Sequence, residues 1–458
     1  MKKNSKIVWA SVFVATMMMS SFVVVTATVK AYPPIPKHFP PPIKGPALKQ
    51  QMPTCDVLWD RDWSNGEPSI GEAGRITTDP SNNIYVVGCD NLGQAVVLKY
   101  YPDGTQDWVN HPTNYDAVED LAVLGGFDMG KGQSQSQYQH IQESFLDNVF
   151  TYMLWDVAYS PVDDTVVSCG WATIEGIDIV FASKNDAQTG TQLWGKRFSF
   201  IESQFGLPMA AAITVNTDGD IFVSGTVIQL NDLQDILSVN GLFIKIGQHG
   251  LTRDVQIDES PSGSFTVYDG IDIGADGNVV MTGYQINTFF TYKIVVVKRN
   301  PSTSDIIDSN IFNIDMFVVH MIIDKSDDKI YVCGGHGDGG PLDKAMIVCI
   351  TSQLTLAYQY ITLNNDFYQD ITVKDARSLL TASLRQNDQY TITLNDKLTG
   401  HSIVKWEIGE VHDTNSHVIT ASGITTDLNT DIIACGGFGV IDTIKCAVTT
   451  QPYILWQT

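Results

Sequence analysis

Past residue 72 the chain alternates short apolar runs rich in Val and Ile with clusters of Asp, Asn, Gly and Ser, and it does so at a steady pitch. Thr78-Asp79-Pro80-Ser81-Asn82-Asn83 leads into Ile84-Tyr85-Val86-Val87-Gly88, and the apolar run Ala95 to Tyr100 follows. Runs of this length, bounded by residues that tolerate left-handed backbone and cap their own turns, predict β-hairpins. The phrase closes again on Gly170, Gly225, Gly283, Gly334 and Gly436, with Ala382 standing in for glycine once. The repeat is about 50 residues long, with one longer gap, which is the size of a propeller blade.

Four strands fit each unit. In the first copy, strand a is Arg75 to Thr78, b is Ile84 to Gly88, c is Ala95 to Tyr100, and d surrounds Trp108. Strand a carries one apolar position in every copy, namely Ile76, Val157, Ile213, Ile271, Met321, Ile371 and Ile424. One blade alone cannot bury that side chain, so closure of a ring must supply the core. The sequence therefore predicts an all-β, seven-bladed propeller of four-stranded blades over residues 55–458. Thr443 to Thr449 and Tyr453 to Trp456 would give the last blade its c and d strands. Asp56 to Trp63 reads as one more d strand, either clasping the last blade or replacing its terminal strand.

One segment breaks the pitch. His111 to Met153 is the largest insertion, and in it Tyr138, Ile141, Phe145, Val149 and Phe150 recur at helical spacing. An inserted amphipathic helix is expected there, covering the channel mouth, docking a partner, or packed flat on its own propeller.

The amino-terminal end is different in kind. Lys2, Lys3 and Lys6 precede an uncharged run from Ile7 to Val29, and Val29-Lys30-Ala31 follows as a small-x-small site. Residues 1–31 read as a secretory signal or as an uncleaved membrane anchor, because the run is long enough to span a bilayer. Both place the rest outside the cytoplasm, extracellular or at the cell surface. Residues 32–54, with Pro33, Pro34, Pro36, Pro40, Pro41, Pro42 and Pro46, form a proline-rich linker. The formal net charge of −23 argues against nucleic acid, because phosphates would be repelled. It permits cations, basic proteins or neutral glycans as partners, and confines membrane contact to the amino-terminal anchor.

Cysteine usage gives little chemistry. Seven is odd, and Cys169, Cys333 and Cys435 occupy one repeat position, which marks them as small core residues. Cys333 with Cys349, and Cys435 with Cys446, could still bridge within a blade. No cofactor motif, Walker loop, GxSxG or HExxH is present, and no metal site is expected. Asn216-x-Asp218-Gly219-Asp220 has the oxygen spacing of a calcium loop but sits in an ordinary a–b turn and lacks the following Glu. His336-Gly337-Asp338-Gly339-Gly340 is a b–c loop with one ligand pair at most. The remaining polar candidates precede the apolar position of strand a: Arg75, Asp156, His320 and Asp370, where other copies have Ala212, Gly270 and Gly423. Converging at the channel mouth, they would make either a polar site or a set of mutually neutralising ion pairs.

Asn83-Ile84-Tyr85-Val86-Val87-Gly88 with Val97-Leu98-Lys99-Tyr100 and Asp103-Gly104-Thr105-Gln106-Asp107-Trp108 resembles the SBBP-type propeller repeats of secreted bacterial and archaeal proteins. Gly219 to Gly225 with Phe243-Ile244-Lys245-Ile246 is a second good copy. Asp186-Ala187-Gln188-Thr189-Gly190-Thr191-Gln192-Leu193-Trp194 resembles the tryptophan-docking segment of pyrroloquinoline-quinone-type repeats. The first likeness implies an exported scaffold without shared catalytic residues, and the second implies tryptophans that stack between blades. The expectation is an exported, non-catalytic propeller binding a protein or glycan through the face that carries its b–c loops and d-to-a connections. Two alternatives stand beside it. One is a polysaccharide hydrolase or lyase using Arg75, Asp156, His320 and Asp370, and the other is a surface-layer or filament subunit with homotypic contacts.

Overall fold

A computed structural model describes residues 54–449, except 64–71, 91–92, 114, 117, 121–151, 175–176, 200–205, 231–235, 288–290, 337–343, 363–365, 386–389, 408–420 and 437–440. The chain is an all-β propeller of seven blades, each a four-stranded antiparallel sheet at its core. Strand a of successive blades is Glu72–Thr78, Tyr152–Ser160, Gly206–Val215, Ser264–Ile273, Met316–Asp324, Asp366–Val373 and Ala421–Thr426. Each packs beside the next, and the seventh packs beside the first, which closes the ring. The described residues contain no helix, hence none long and apolar enough to cross a membrane. The expected helix within His111 to Met153, the leader, and Tyr453 to Trp456 lie outside the described residues.

Two features settle or extend the sequence reading, and a third corrects it. Thr54–Trp63 pairs antiparallel with Ile441–Thr449, so the amino-terminal strand is the outer strand of blade 7 and holds the ring shut from both chain ends. Part of the long insertion, Val118–Asp120, pairs in parallel with Arg197–Ser199 as a fifth strand of blade 2. In blade 6, Tyr368 faces Ser383 and Asp370 faces Ala382. Blade 5 pairs Val318 with Gly334 and His320 with Cys333. Ser383, not Ala382, therefore occupies the glycine register.

The core sits between blades, as the strand-a pattern requires. Ile76, Val157, Ile213, Ile271, Met321, Ile371 and Ile424 are all buried, and an apolar cluster fills each of the seven blade junctions. Cys169, Cys333, Cys349, Cys435 and Cys446 are buried, and neither candidate disulfide forms. Adjacent-strand partners explain this, because Cys333 faces Ile347 and Cys349 faces Tyr331. Trp108 donates from Nε1 to Ala187 O of the next blade, and Trp194 does the same to Gln248 O. Each indole covers a c–d-turn glycine there, Gly190 or Gly250, whose added Cβ would meet the ring at 2.6 or 3.0 Å.

The lysine near the end of strand c, seen in sequence as part of the repeat, is a strut between blades. Lys184 Nζ contacts Asp163 Oδ2 at 2.5 Å and donates to Gln248 O of blade 3 at 3.0 Å. Lys245 does likewise with Asp220 and Pro301 O, and Lys445 with Asp427 and Pro102 O. Partial burial raises the Asp163 carboxyl, but hydrogen bonds from Lys184, Gln248, Thr165 and Ser160 outweigh it and hold the group down at about 2. A carboxyl held low stabilises the fold above its unfolded value and loses that contribution as pH falls through about 2. Lys184→Met is expected to cost about 2 kcal/mol at neutral pH, less than a fully buried pair because Asp163 keeps its other donors and some water. Urea unfolding should show that deficit shrinking as the solution is acidified.

Candidate functional site

The site is built from one irregularity repeated seven times. In every strand a the pairing with strand b slips at the same place: between Ala73 and Ile76, Leu154 and Asp156, Ala210 and Ala212, Tyr268 and Gly270, Val318 and His320, Tyr368 and Asp370, and Ala421 and Gly423. A bulge breaks the strict alternation of faces, so a residue is left over and turns toward the axis. It also pushes the carbonyl of strand a onto strand b. A Cβ added to Gly170, Gly225, Gly283 or Gly334 would lie 1.9, 2.0, 1.8 or 1.9 Å from such a carbonyl oxygen. That contact is why the repeated phrase ends on glycine.

The four polar candidates do meet at the axis. Arg75 of blade 1 reaches blade 6, where Nη1 lies 2.8 Å from Asp370 Oδ1, and blade 5, where Nη2 donates to Val319 O at 2.9 Å. Its Nε lies 3.9 Å from Asp156 Oδ1 of blade 2. His320 Nδ1 contacts Asp370 Oδ1. The two carboxylates are also bound to backbone in the same way. Asp156 accepts from Val157 N and from Ile213 N of blade 3, each at 2.8 Å. Asp370 accepts from Ile371 N at 2.8 Å and from Ile424 N of blade 7 at 2.7 Å. Each therefore ties its own strand a to the next one at the two apolar positions. Asp272 makes a similar link from Ile273 N to Ile323 N.

Burial acts on both acids, with different outcomes. For Asp156 it outweighs Arg75, His320 and the two backbone donors, and the carboxyl is pushed up. For Asp370 the adjacent His320 and the close Arg75 outweigh burial, and the carboxyl sits below its ordinary range. The difference follows from contact: His320 lies directly against Asp370, and Arg75 is 2.8 Å from Asp370 but 3.9 Å from Asp156.

Beside this cluster lies a cavity of ≈110 Å³. Every blade contributes its extra residue to the lining: Gly74, Trp155, Ala211, Asp269, Val319, Gln369 and Ser422. It therefore lies on the propeller axis. Trp171, Phe317 and Phe367 complete an aromatic wall, with the two phenylalanine rings 6.0 Å apart. Asp269 Oδ2 and Trp155 Nε1 are buried and have no hydrogen-bond partner among the described residues. Burial pushes the Asp269 carboxyl up to about 8, against a weaker opposing pull from Arg75.

A carboxyl raised in the fold favours the folded state below its unfolded value of about 4, and that advantage is lost as pH rises through about 8. Asp269→Asn should thus stabilise the protein by about 2–4 kcal/mol above pH 8 and by little below about pH 4. Thermal unfolding across that range checks both the sign and the window.

Sequence reasoning found the four residues and missed Asp269 and Trp155. It assumed one residue per blade facing the channel, whereas the bulge turns the preceding residue there too. Reading each copy one position earlier exposes an acid and an indole among otherwise mostly small or apolar residues. The other candidate resolves differently. Asn216 Oδ1 accepts from the backbone of Asp218 and Asp220, and Asp220 pairs with Lys245 and Arg253 at 3.0 and 3.1 Å. Those oxygens are turn caps and lysine or arginine partners. His336 is described, but the rest of its glycine loop is not. Among the described residues no three His, Cys, Asp or Glu side chains are grouped to hold a metal ion.

No protein-family model and no curated protein matches this chain. Among solved structures, the WD40 domain of Neurospora crassa Pan2 superposes with a TM-score of 0.51 at 10% identity, covering 89% of this chain and 99% of that one. YCF48 from Cyanidioschyzon merolae gives 0.42 at 9% identity, covering 84% and 98%. YCF48 bound to D1 peptide gives 0.44 at 12% identity, covering 87% and 98%. At these identities the likeness is one of fold: a propeller with WD40-like neighbours.

Proposed function

We propose that this chain is an exported, non-catalytic propeller that binds a protein or a glycan at the loop-bearing end of its axial channel. The observation that carries the reading is the use already made of the four candidate residues. Asp156 and Asp370 hold backbone N–H groups of two blades each, Arg75 lies against both, and His320 contacts Asp370. A general acid or nucleophile needs an oxygen free to meet substrate, and these oxygens are committed to the scaffold. The propeller fold supports binding in a second way, since a rigid ring presents loops from several blades to one ligand. Export rests on the basic start and uncharged run from Ile7 to Val29.

Peptide and glycan arrays probed with the labelled chain, alongside an assay for product release from the same glycans, test the reading. Retention without release is expected. Release that Asp156→Asn or Asp370→Asn abolishes in a still-folded protein would replace it with the hydrolase or lyase.

A further inference from the structure

We propose that the axial cavity binds an organic ammonium group, with Asp269 as its counter-charge and the aromatic wall against its carbon chain. Asp156 and Asp370, the other acids at the axis, each accept two backbone hydrogen bonds, and Asp370 is also paired with Arg75. Asp269 keeps a buried oxygen without a partner, and it shares the cavity with Trp155, Trp171, Phe317 and Phe367. A buried carboxylate favours a ligand that supplies both charge and N–H donors. A neutral hydroxyl supplies one donor and leaves the charge uncompensated, while an anion is repelled. Aromatic faces also attract cations. Arg75 also lines the cavity, but it does not bar entry, because its charge is paired with Asp370 at 2.8 Å. Trp155 Nε1–H remains available to an acceptor next to the ammonium.

Size narrows the class further. An engineered cavity of about 150 Å³ takes one benzene, so ≈110 Å³ has room for roughly four or five heavy atoms. Butylammonium has that size, and it is also the end of a lysine side chain. The source is either a free small amine or a lysine of a bound partner.

Binding must also depend on pH. The charged or titratable groups that act on Asp269 or feel it are Arg75 from blade 1 and Tyr284 from its own blade. Burial holds the Asp269 carboxyl up to about 8, so below that pH an entering ammonium displaces one proton. Affinity should rise about tenfold per pH unit up to that point and then level off.

This inference does not depend on what the loop face binds, and failure on the arrays leaves it standing. The test is calorimetric titration of the full chain with n-butylamine and with n-butanol, its neutral isostere, at about pH 6.5 and about pH 8.5. The expected result is amine binding at least about tenfold tighter at the higher pH, at least about tenfold tighter than the alcohol, and lost in Asp269→Asn. Thermal unfolding confirms that the variant is folded. Should it not fold, Ala211→Leu, which fills the cavity and leaves Asp269 in place, must abolish binding instead. A single-lysine peptide that binds more tightly than n-butylamine assigns the site to a partner's lysine, and a peptide that binds more weakly assigns it to a free amine. Equal binding of amine and alcohol, undiminished binding by a folded Asp269→Asn, or no amine binding at either pH would overturn the proposal.

Discussion

Arg75→Met is expected to lower the unfolding free energy by about 3–5 kcal/mol at neutral pH. Its guanidinium reaches Asp156, Asp370 and Val319 O from three other blades. Burial already raises Asp156 and Asp269, and Arg75 opposes it at both. Without that charge all three carboxyls move upward, Asp370 retaining His320 and its two backbone donors. Raised carboxyls favour the folded state at low pH and cost stability as pH rises, so the deficit should shrink on acidification to about pH 5. Urea unfolding of both proteins at the two pH values measures this. A deficit that does not change with pH would mean that Arg75 acts by packing and not by charge.

Gly283→Ala is expected to cost at least about 3 kcal/mol, because the new methyl would lie 1.8 Å from Val267 O and 2.8 Å from Tyr268 Cα. Both obstacles are backbone, so no side chain can swing aside. Gly277 serves as the control. A Cβ there meets nothing within 4 Å, and its φ of +78° charges Gly277→Ala only the left-handed penalty of about 1 kcal/mol. A chemical denaturation series with unchanged slope and a clear gap between the two midpoints is the expected outcome. Blade 6 carries Ser383 at the equivalent register, buried and bonded to Thr391, so the penalty belongs to bulges as tight as that of blade 4.

Much of the fold was legible because the blade repeats both its turn chemistry and its apolar position. The seven residues from Ile76 to Ile424 could be named from spacing, and all are buried. Convergence of Arg75, Asp156, His320 and Asp370 followed from the same frame, since equivalent positions in a ring face one axis. Their roles did not follow, because hydrogen bonding from Ile213 N and Ile424 N depends on neighbours about 55 residues away that only closure brings near. Asp269 and Trp155 were hidden by the bulge, which a strict alternation cannot represent. The struts Lys184, Lys245 and Lys445 read as ordinary alternation in strand c, with no sign that each reaches the next blade.

The central claim is that the polar axis holds the blades together within a binding propeller. A double-mutant cycle between Arg75→Met and Asp370→Asn, read by urea unfolding at neutral pH, tests it most directly. The account predicts a coupling of about 2–3 kcal/mol between these residues of blades 1 and 6. Additive effects, with Asp370→Asn leaving stability unchanged, would contradict it.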